Sequence, residues 1–342
     1  MINKIFKKRI ISSINKFNLN LEGKNVLTEA ATGNYVVTSI ISALAGANTI
    51  AFTKDSEYGD ISDVKKQTHS LAEECKINEK IEIITSLDNI KLNQIDILTN
   101  TGFLRPIGKK IIDRLSSKCV IPLMYEPWEF RKNEIDLDEC YIKGIKVYGT
   151  NENVDDLKTM DYLGYVVLSL LLKNKYSPFS SKILLIGCNK FINSTSKILN
   201  NNNYSFETIN DYCTKNNSKN LGIFDVIVLM EHERNILLIG NKDSYIENKD
   251  INNETLVIHI CGKVDFKGAK FRHIPHNPKP FGYMSYTADY ADPQAVIDLH
   301  TAGLKVAEGM IKANSLNLKP FEYKNYLEKN YPALSFNDSK FW

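Results

Sequence analysis

From Asn25 onward, short apolar runs rich in β-branched residues alternate with stretches of helical periodicity. The segments NVLTE, NTIAFT, IEIIT, IDILTN, CVIPLM and IKVYG have the length and composition of buried parallel strands, and helical patterns fall between them over about 35–45 and 61–76. Strand and helix in turn imply βαβ units and a parallel sheet covered on both faces. A helix then spans Val154 to Leu172, the stretch Lys-Asn-Lys-Tyr-Ser-Pro breaks the pattern, and the order restarts. KILLIG, a helix to about Leu199, YSFETIN, DVIVLM and TLVIHI repeat the same logic, with polar low-complexity loops at 200–203 and about 214–220. The expected fold class is α/β, with two doubly wound parallel-sheet domains joined by a long helix. The expected boundaries are 1–153 for a substrate-type domain, 154–176 for the linking helix, 177–313 for a nucleotide-binding-type domain and 314–342 for a C-terminal tail.

Ahead of the first strand, Ile2, Ile5, Phe6, Ile10, Ile14 and Phe17 recur at three and four. This predicts an amphipathic helix docked on the first domain. The segment is also basic and free of acids, a pattern shared by mitochondrial presequences.

Composition narrows the partners. A net charge of +3 over 342 residues, with both signs interspersed, argues against a nucleic-acid or membrane-surface protein. The longest apolar run, Tyr165 to Leu172, is too short to span a bilayer. Six cysteines (75, 119, 140, 188, 213 and 261) show no C-x-x-C pair and read as buried thiols of a reducing, cytoplasmic setting. Neither they nor the six histidines offer a metal-ligand spacing, so no metal is expected. A small-molecule substrate is the expected partner, and a homodimer is compatible with the sequence.

The candidate chemistry lies at strand ends, where open α/β sheets bind ligands. The first strand runs into Glu29, Thr32, Gly33 and Asn34, which place a glycine and its neighbouring amides at a helix start. An ordinary βα turn explains this equally well. A competing idea is a methyltransferase, with Asp55 as the acid after its second strand, although that family carries several glycines where only Gly33 stands. IDILTN ends at Asn100, Gly102 and Arg105, whose guanidinium suits a carboxylate or phosphate clamp or a surface helix cap. VIPLM breaks at Tyr125 into Glu126, Trp128, Glu129, Phe130 and Arg131, read as a pocket-shaping cluster or as a rigid Pro-containing turn. The last strand ends at Thr150, Asn151 and Glu152, expected to cap the following helix. Four polar strand ends in one parallel sheet share one edge.

In the second half, Gly187-Cys188-Asn189-Lys190-Phe191-Ile192 keeps only the first glycine of the dinucleotide fingerprint, and Asp211 stands at the distance of the ribose-binding acid. His259 precedes Cys261 and Gly262 at a strand end, and His300 lies in a helix beginning near Pro293; each reads as a core histidine or as one facing a cleft.

Two doubly wound halves joined by a helix, with IDLDECYIKGIKVYGTNE closing the first and KILLIGCNKF opening the second, resemble the D-isomer-specific 2-hydroxyacid dehydrogenases and the related adenosylhomocysteine hydrolases. The resemblance implies Rossmann-like domains, NAD or NADP held by the second half, and a carboxylate or polyol substrate in an interdomain cleft. Cys261 stands where the dehydrogenases carry an arginine, and Pro275-His276 is a loose counterpart of their Pro-His general acid. The expected function is an NAD(P)-dependent oxidoreductase acting on a small hydroxy-acid or sugar-like metabolite. His259, His300 and Glu126 are the expected catalytic groups, and Gly187, Asn189, Lys190, Asp211 and Gly262 the expected cofactor contacts. Glu29, Thr32, Gly33, Asn34, Asn100, Gly102, Arg105, Trp128, Glu129, Arg131, Asn151 and Glu152 are expected around the substrate. The alternative is a Rossmann-fold transferase, hydrolase or noncatalytic binding protein with another nucleotide or adenosyl ligand.

Overall fold

The computed structural model of the chain describes residues 2–212 and 220–341, so Cys213 and the expected loop over 214–219 fall outside the described residues. In chain order the elements are α1 (Ile2–Phe17), β1 (Asn25–Glu29), α2 (Val37–Leu44), β2 (Asn48–Phe52), α3 (Ile61–Cys75), β3 (Ile81–Ile84), β4 (Ile97–Leu98), α4 (Lys109–Ile112), β5 (Val120–Pro122), α5 (Leu137–Lys143) and β6 (Lys146–Thr150). There follow α6 (Thr159–Lys173), β7 (Lys182–Gly187), α7 (Asn189–Asn201), β8 (Ser205–Ile209), β9 (Val226–Met230), β10 (Leu237–Gly240), β11 (Ile246–Glu247), β12 (Leu256–Cys261), β13 (Lys263–Val264) and β14 (Arg272–Ile274). The chain closes with α8 (Gln294–Ser315), α9 (Pro320–Asn330) and β15 (Ala333–Leu334). Among the described residues, no helix is long and apolar enough to cross a membrane.

Two compact units result, Met1–Leu157 with Pro293–Trp342, and Lys158–Asp292. The first holds a sheet in the order β15-β6-β5-β4-β1-β2-β3, parallel throughout except for β15, which pairs antiparallel with β6. Its six parallel strands follow the order 3-2-1-4-5-6, and the chain direction across the sheet reverses between β1 and β4. Strand residues such as Val26, Leu27, Ile97, Leu98, Val120 and Ile121 have no solvent exposure, as a sheet covered on both faces requires. The second unit repeats the plan with β14-β12-β9-β7-β8, reversing between β7 and β9, beside a small β11-β10-β13 sheet.

The division of the chain differs from the one expected. The helix predicted from Val154 begins at Thr159: Asn151 Oδ1 accepts the Asn153 amide and the Val154 carbonyl accepts the Leu157 amide, so 151–157 is taken up by turns. Asn151 and Glu152 therefore do not cap it; its N-cap residue is Lys158, without a side-chain bond. The helix is also no mere link: Leu163, Val166, Val167, Leu170 and Leu171 lie in the second unit's core. Gly164 makes close packing on α7 feasible, since a Cβ there would stand 2.6 Å from Ile198 Cγ1. Nor is 314–342 a loose tail, for α9 and β15 complete the first unit.

α8 belongs to the first unit as well. Ile297, Leu304, Val306, Ala307 and Met310 join its core, where α1 contributes Ile10 and the partly buried Phe6 and Ile14. Ser13 Oγ donates to Asp298 Oδ1 at 2.7 Å and Lys16 Nζ pairs with Asp298 Oδ2 at 2.8 Å, so the α1–α8 register is fixed by a half-buried charge pair. That docking sets His300, on α8, against Thr38 of α2.

Candidate functional site

The carboxyl edge of the first unit's sheet gathers the polar strand ends at the reversal between β1 and β4. Glu29, the last residue of β1, is 6% exposed, and one carboxylate oxygen accepts the Phe103 amide at 3.1 Å. Glycine at 102 permits this approach, because a Cβ there would lie 3.2 Å from that oxygen. Burial holds the Glu29 carboxyl above its ordinary range, against the pull of the Phe103 amide and the Arg105 charge. Beneath it, hydroxyls of Thr28, Thr99 and Thr101 bridge the two strands.

Asn100 follows β4 and is fully buried. Its Oδ1 accepts the Met124 amide at 3.0 Å, which fixes the orientation of the side chain, and its Nδ2 has no hydrogen-bond partner among the described residues. An unmet buried amide costs about 1–3 kcal/mol and marks a place where a ligand acceptor would be favoured.

Arg105 connects the groups. Its Nε donates to the Asn100 carbonyl, one terminal nitrogen meets Glu134 Oε1 at 2.9 Å, and its guanidinium carbon lies 5.5 Å from the Tyr125 ring centre. Arg131 donates to the same Glu134 oxygen at 2.9 Å, and the Tyr125 hydroxyl donates to the other oxygen. Arg105, expected as an anion clamp, and Arg131, expected around the substrate, thus converge on one carboxylate that no sequence pattern singled out. An arginine three residues before an acid is the signal that could have found it, since such pairs meet in a single turn.

His300 is buried on α8, with Nδ1 2.6 Å from Thr38 Oγ1 and its ring 5.9 Å from that of Tyr35. Burial, with the Arg105 charge adding to it, pushes its pKa down to about 4. Glu29 and His300 are therefore each biased towards the neutral form, one able to give a proton and the other to take one.

Other expected site residues have local work. Glu126 is 2% exposed and accepts the Glu152 amide, the Asn153 side chain and the Trp128 indole, so it binds the β5 and β6 ends together rather than standing free for catalysis. Pro127 packs on Gly149, where a Cβ would meet its ring at 2.5 Å. Glu129 is half-buried in the same turn. The Gly33 amide, at φ +62°, donates to Gln67 Oε1, and Thr32 Oγ1 donates to the Tyr58 carbonyl instead of capping the turn. Asn34 lies half-buried in the same short turn.

In the second unit, His259 is fully buried and uses both ring nitrogens. Nε2 donates to the Gly262 carbonyl at 3.0 Å, leaving Nδ1 to accept from Ser285 at 2.8 Å, and burial lowers its pKa. The ring staples the end of β12, and the catalytic role expected for it is not the one these bonds describe. Gly262 is at φ +123°, a conformation that side chains avoid.

The reversal between β7 and β9, where a dinucleotide pyrophosphate would sit, is packed with the chain's own groups. Phe191 is 1% exposed and its ring lies 4.3 Å from that of His232. Cys188 is buried, its thiol drawn by the amides of Phe191 and His232 but pushed up to about 11 by burial. Asn210 Nδ2 donates to Asn189 Oδ1 at 2.6 Å, tying the β7 turn to the end of β8 beside exposed Asp211. Arg234 pairs with the buried Glu231 at 2.9 Å and lies 4.3 Å from the Tyr212 ring. Lys190 is half-buried in the first turn of α7. These residues do not fit a pyrophosphate in the usual Rossmann position. Gly187 serves strand packing: a Cβ there would stand 2.2 Å from the Met230 carbonyl oxygen. Gly187→Ala is expected to part β7 from β9 and destabilise this unit by about 1–3 kcal/mol, read as a lower denaturation midpoint.

No protein-family model matches the sequence, and no curated protein is significantly similar to it. Among solved structures, the chain is similar to a dipicolinate synthase chain from Bacillus subtilis, at 12% identity and TM-score 0.56, over 87% of this chain and 99% of that one. The dipicolinate synthase chain from Bacillus halodurans matches at 11% identity and TM-score 0.54, over 88% and 100%. A D-lactate dehydrogenase from Treponema pallidum matches at 10% identity and TM-score 0.50, over 84% and 97%. At these identities the likeness is one of fold, that of two-domain Rossmann-like proteins.

Proposed function

We propose that the protein binds a small polar metabolite bearing a carboxylate or similar anion at the β1–β4 reversal of its first unit, and acts on it by proton transfer. The supporting observation is the unmet Asn100 Nδ2 at the same sheet edge as Glu29 and Arg105. In this reading Asn100 and Arg105 hold the anion, Glu29 gives a proton and His300 accepts one. Trp128, Glu129 and Arg131 border the substrate. Small molecules released from the purified chain by denaturation and identified by mass spectrometry test it. A carboxylated metabolite, retained by the wild type and lost from Arg105→Met, is the expected result; an anion retained equally by both would remove Arg105 from the site.

The second reading is an NAD(P)-dependent oxidoreductase of a hydroxy-acid or sugar-like substrate, with the nucleotide in an altered geometry near Asn189, Lys190 and Asp211. The fold likeness to a D-lactate dehydrogenase over nearly that protein's whole length favours it. Equilibrium dialysis against NADH and NADPH separates the two. Binding of either, weakened by Asp211→Asn, would establish the second reading, and no binding at about millimolar nucleotide would leave the first.

A further inference from the structure

The packed reversal in the second unit contains a grouping that no motif announced. Cys188 begins the β7–α7 connection, His232 and Glu233 follow β9, and the three donor atoms (a thiol sulfur, a ring nitrogen and a carboxylate oxygen) all lie within 4.8 Å of one another. His232 Nε2 and the nearest Glu233 oxygen are 3.9 Å apart. A tetrahedral zinc, with bonds of about 2.0–2.3 Å, holds neighbouring donors roughly 3.3–3.7 Å apart, so small side-chain rotations would close the set on one ion.

We infer that Cys188, His232 and Glu233 form a binding site for a single divalent cation of the zinc class. The donors suit it, since thiolate with imidazole selects borderline-soft metals and a carboxylate completes a mixed set with a fourth position open. Charge suits it as well: a thiolate and a carboxylate balance a 2+ ion, and the thiol proton passes to solvent as the bond to sulfur forms.

The surroundings are built to hold this geometry. Glu231 Oε1 accepts the amides of Glu233 at 2.8 Å and Arg234 at 3.0 Å, while Oε2 is paired with the Arg234 side chain. That tight turn fixes the backbone from which His232 and Glu233 project. Arg234 is itself held by the Asn210 carbonyl, and Phe191 covers the imidazole. Burial is graded across the donors, from Cys188 with no exposure through His232, whose side chain is 10% exposed, to Glu233 at 54%. The outermost ligand thus stands where an ion would enter. The inference is independent of the anion-site reading, whose Glu29, Asn100, Arg105 and His300 lie in the other unit.

The test uses the untagged full chain, stripped with a chelator, dialysed against Zn2+ alone and measured by elemental mass spectrometry. One zinc per chain is expected. Cys188→Ser and His232→Gln are each expected to weaken binding by more than the roughly 10–100-fold typical of losing an outer-shell partner. Cys75→Ser, in the first unit, is expected to keep full occupancy. Substituting Co2+ in the wild type should give a sulfur-to-cobalt charge-transfer band. Should Cys188→Ser fail to fold, the solvent-facing Glu233→Gln and the cobalt spectrum decide. Failure to take up zinc, a cobalt spectrum without the sulfur band, or variants that bind as tightly as the wild type would each overturn the site.

Discussion

Glu134→Leu is expected to lower the stability of the first unit by about 3–5 kcal/mol, the largest effect of any single substitution at this sheet edge. The carboxylate is 6% exposed and receives Arg105, Arg131 and the Tyr125 hydroxyl. Its removal leaves charged donors and a buried phenol without their shared acceptor, and leucine offers none in return. Burial already raises the Tyr125 hydroxyl pKa strongly, so the phenol cannot compensate by ionising. Glu134→Gln keeps the shape and one acceptor oxygen and should cost clearly less. Scanning calorimetry checks the pair, because the two units need not melt together. If Glu134→Leu and Glu134→Gln shift the first unit's transition equally, the charge at 134 does not organise the edge. The metabolite assay adds a second readout: with Arg105 released from Glu134, ligand retention should fall even where the variant remains folded.

The reach of the sequence is uneven, for physical reasons. Strands announce themselves because a sheet covered on both faces needs continuous apolar runs, and VIVLM or KILLIG has few other uses. The polar ends of those strands are legible for the same reason, which is why Glu29, Asn100 and Arg105 stand out from the sequence alone. What those side chains bond is not legible. Glu134 reads as one acid in a charged turn until the fold delivers Arg105 from twenty-nine residues away. His300 sits on a helix whose periodicity shows an apolar face but not the sheet that face will meet; the Ser13–Asp298 bond, which settles it, spans 285 positions. Cys188 and His232 escape any spacing rule because they reach one another only through the β7–β9 pairing. The missing glycines mark a departure from the dinucleotide pattern, yet no spacing shows that Phe191 and His232 pack together where the phosphates would lie.

The pH dependence of stability should carry a signature of the proposed acid–base pair. His300 has a folded pKa of about 4 against an ordinary 6.5. A base with a depressed folded pKa contributes stability that is present above 6.5 and is lost as pH falls towards 4, amounting to about 3 kcal/mol. Glu29 has the opposite sign. Its folded pKa is raised above 4.5, so its contribution is present below that value and is lost as pH rises through the folded pKa. The wild-type profile in mildly acidic solution is then a difference between two opposed slopes. Glu29→Gln should steepen the loss of stability on acidification, His300→Gln should reverse it, and the double variant should flatten what this pair contributes. Denaturant unfolding between about pH 5 and 7, on the four chains in parallel, reads these slopes directly. A His300→Gln profile parallel to the wild type would mean that the imidazole does not change its protonation on folding. It would then lose its place as a proton acceptor, because a histidine that holds its ordinary pKa would be partly charged beside Arg105 throughout the range in which the site is proposed to work.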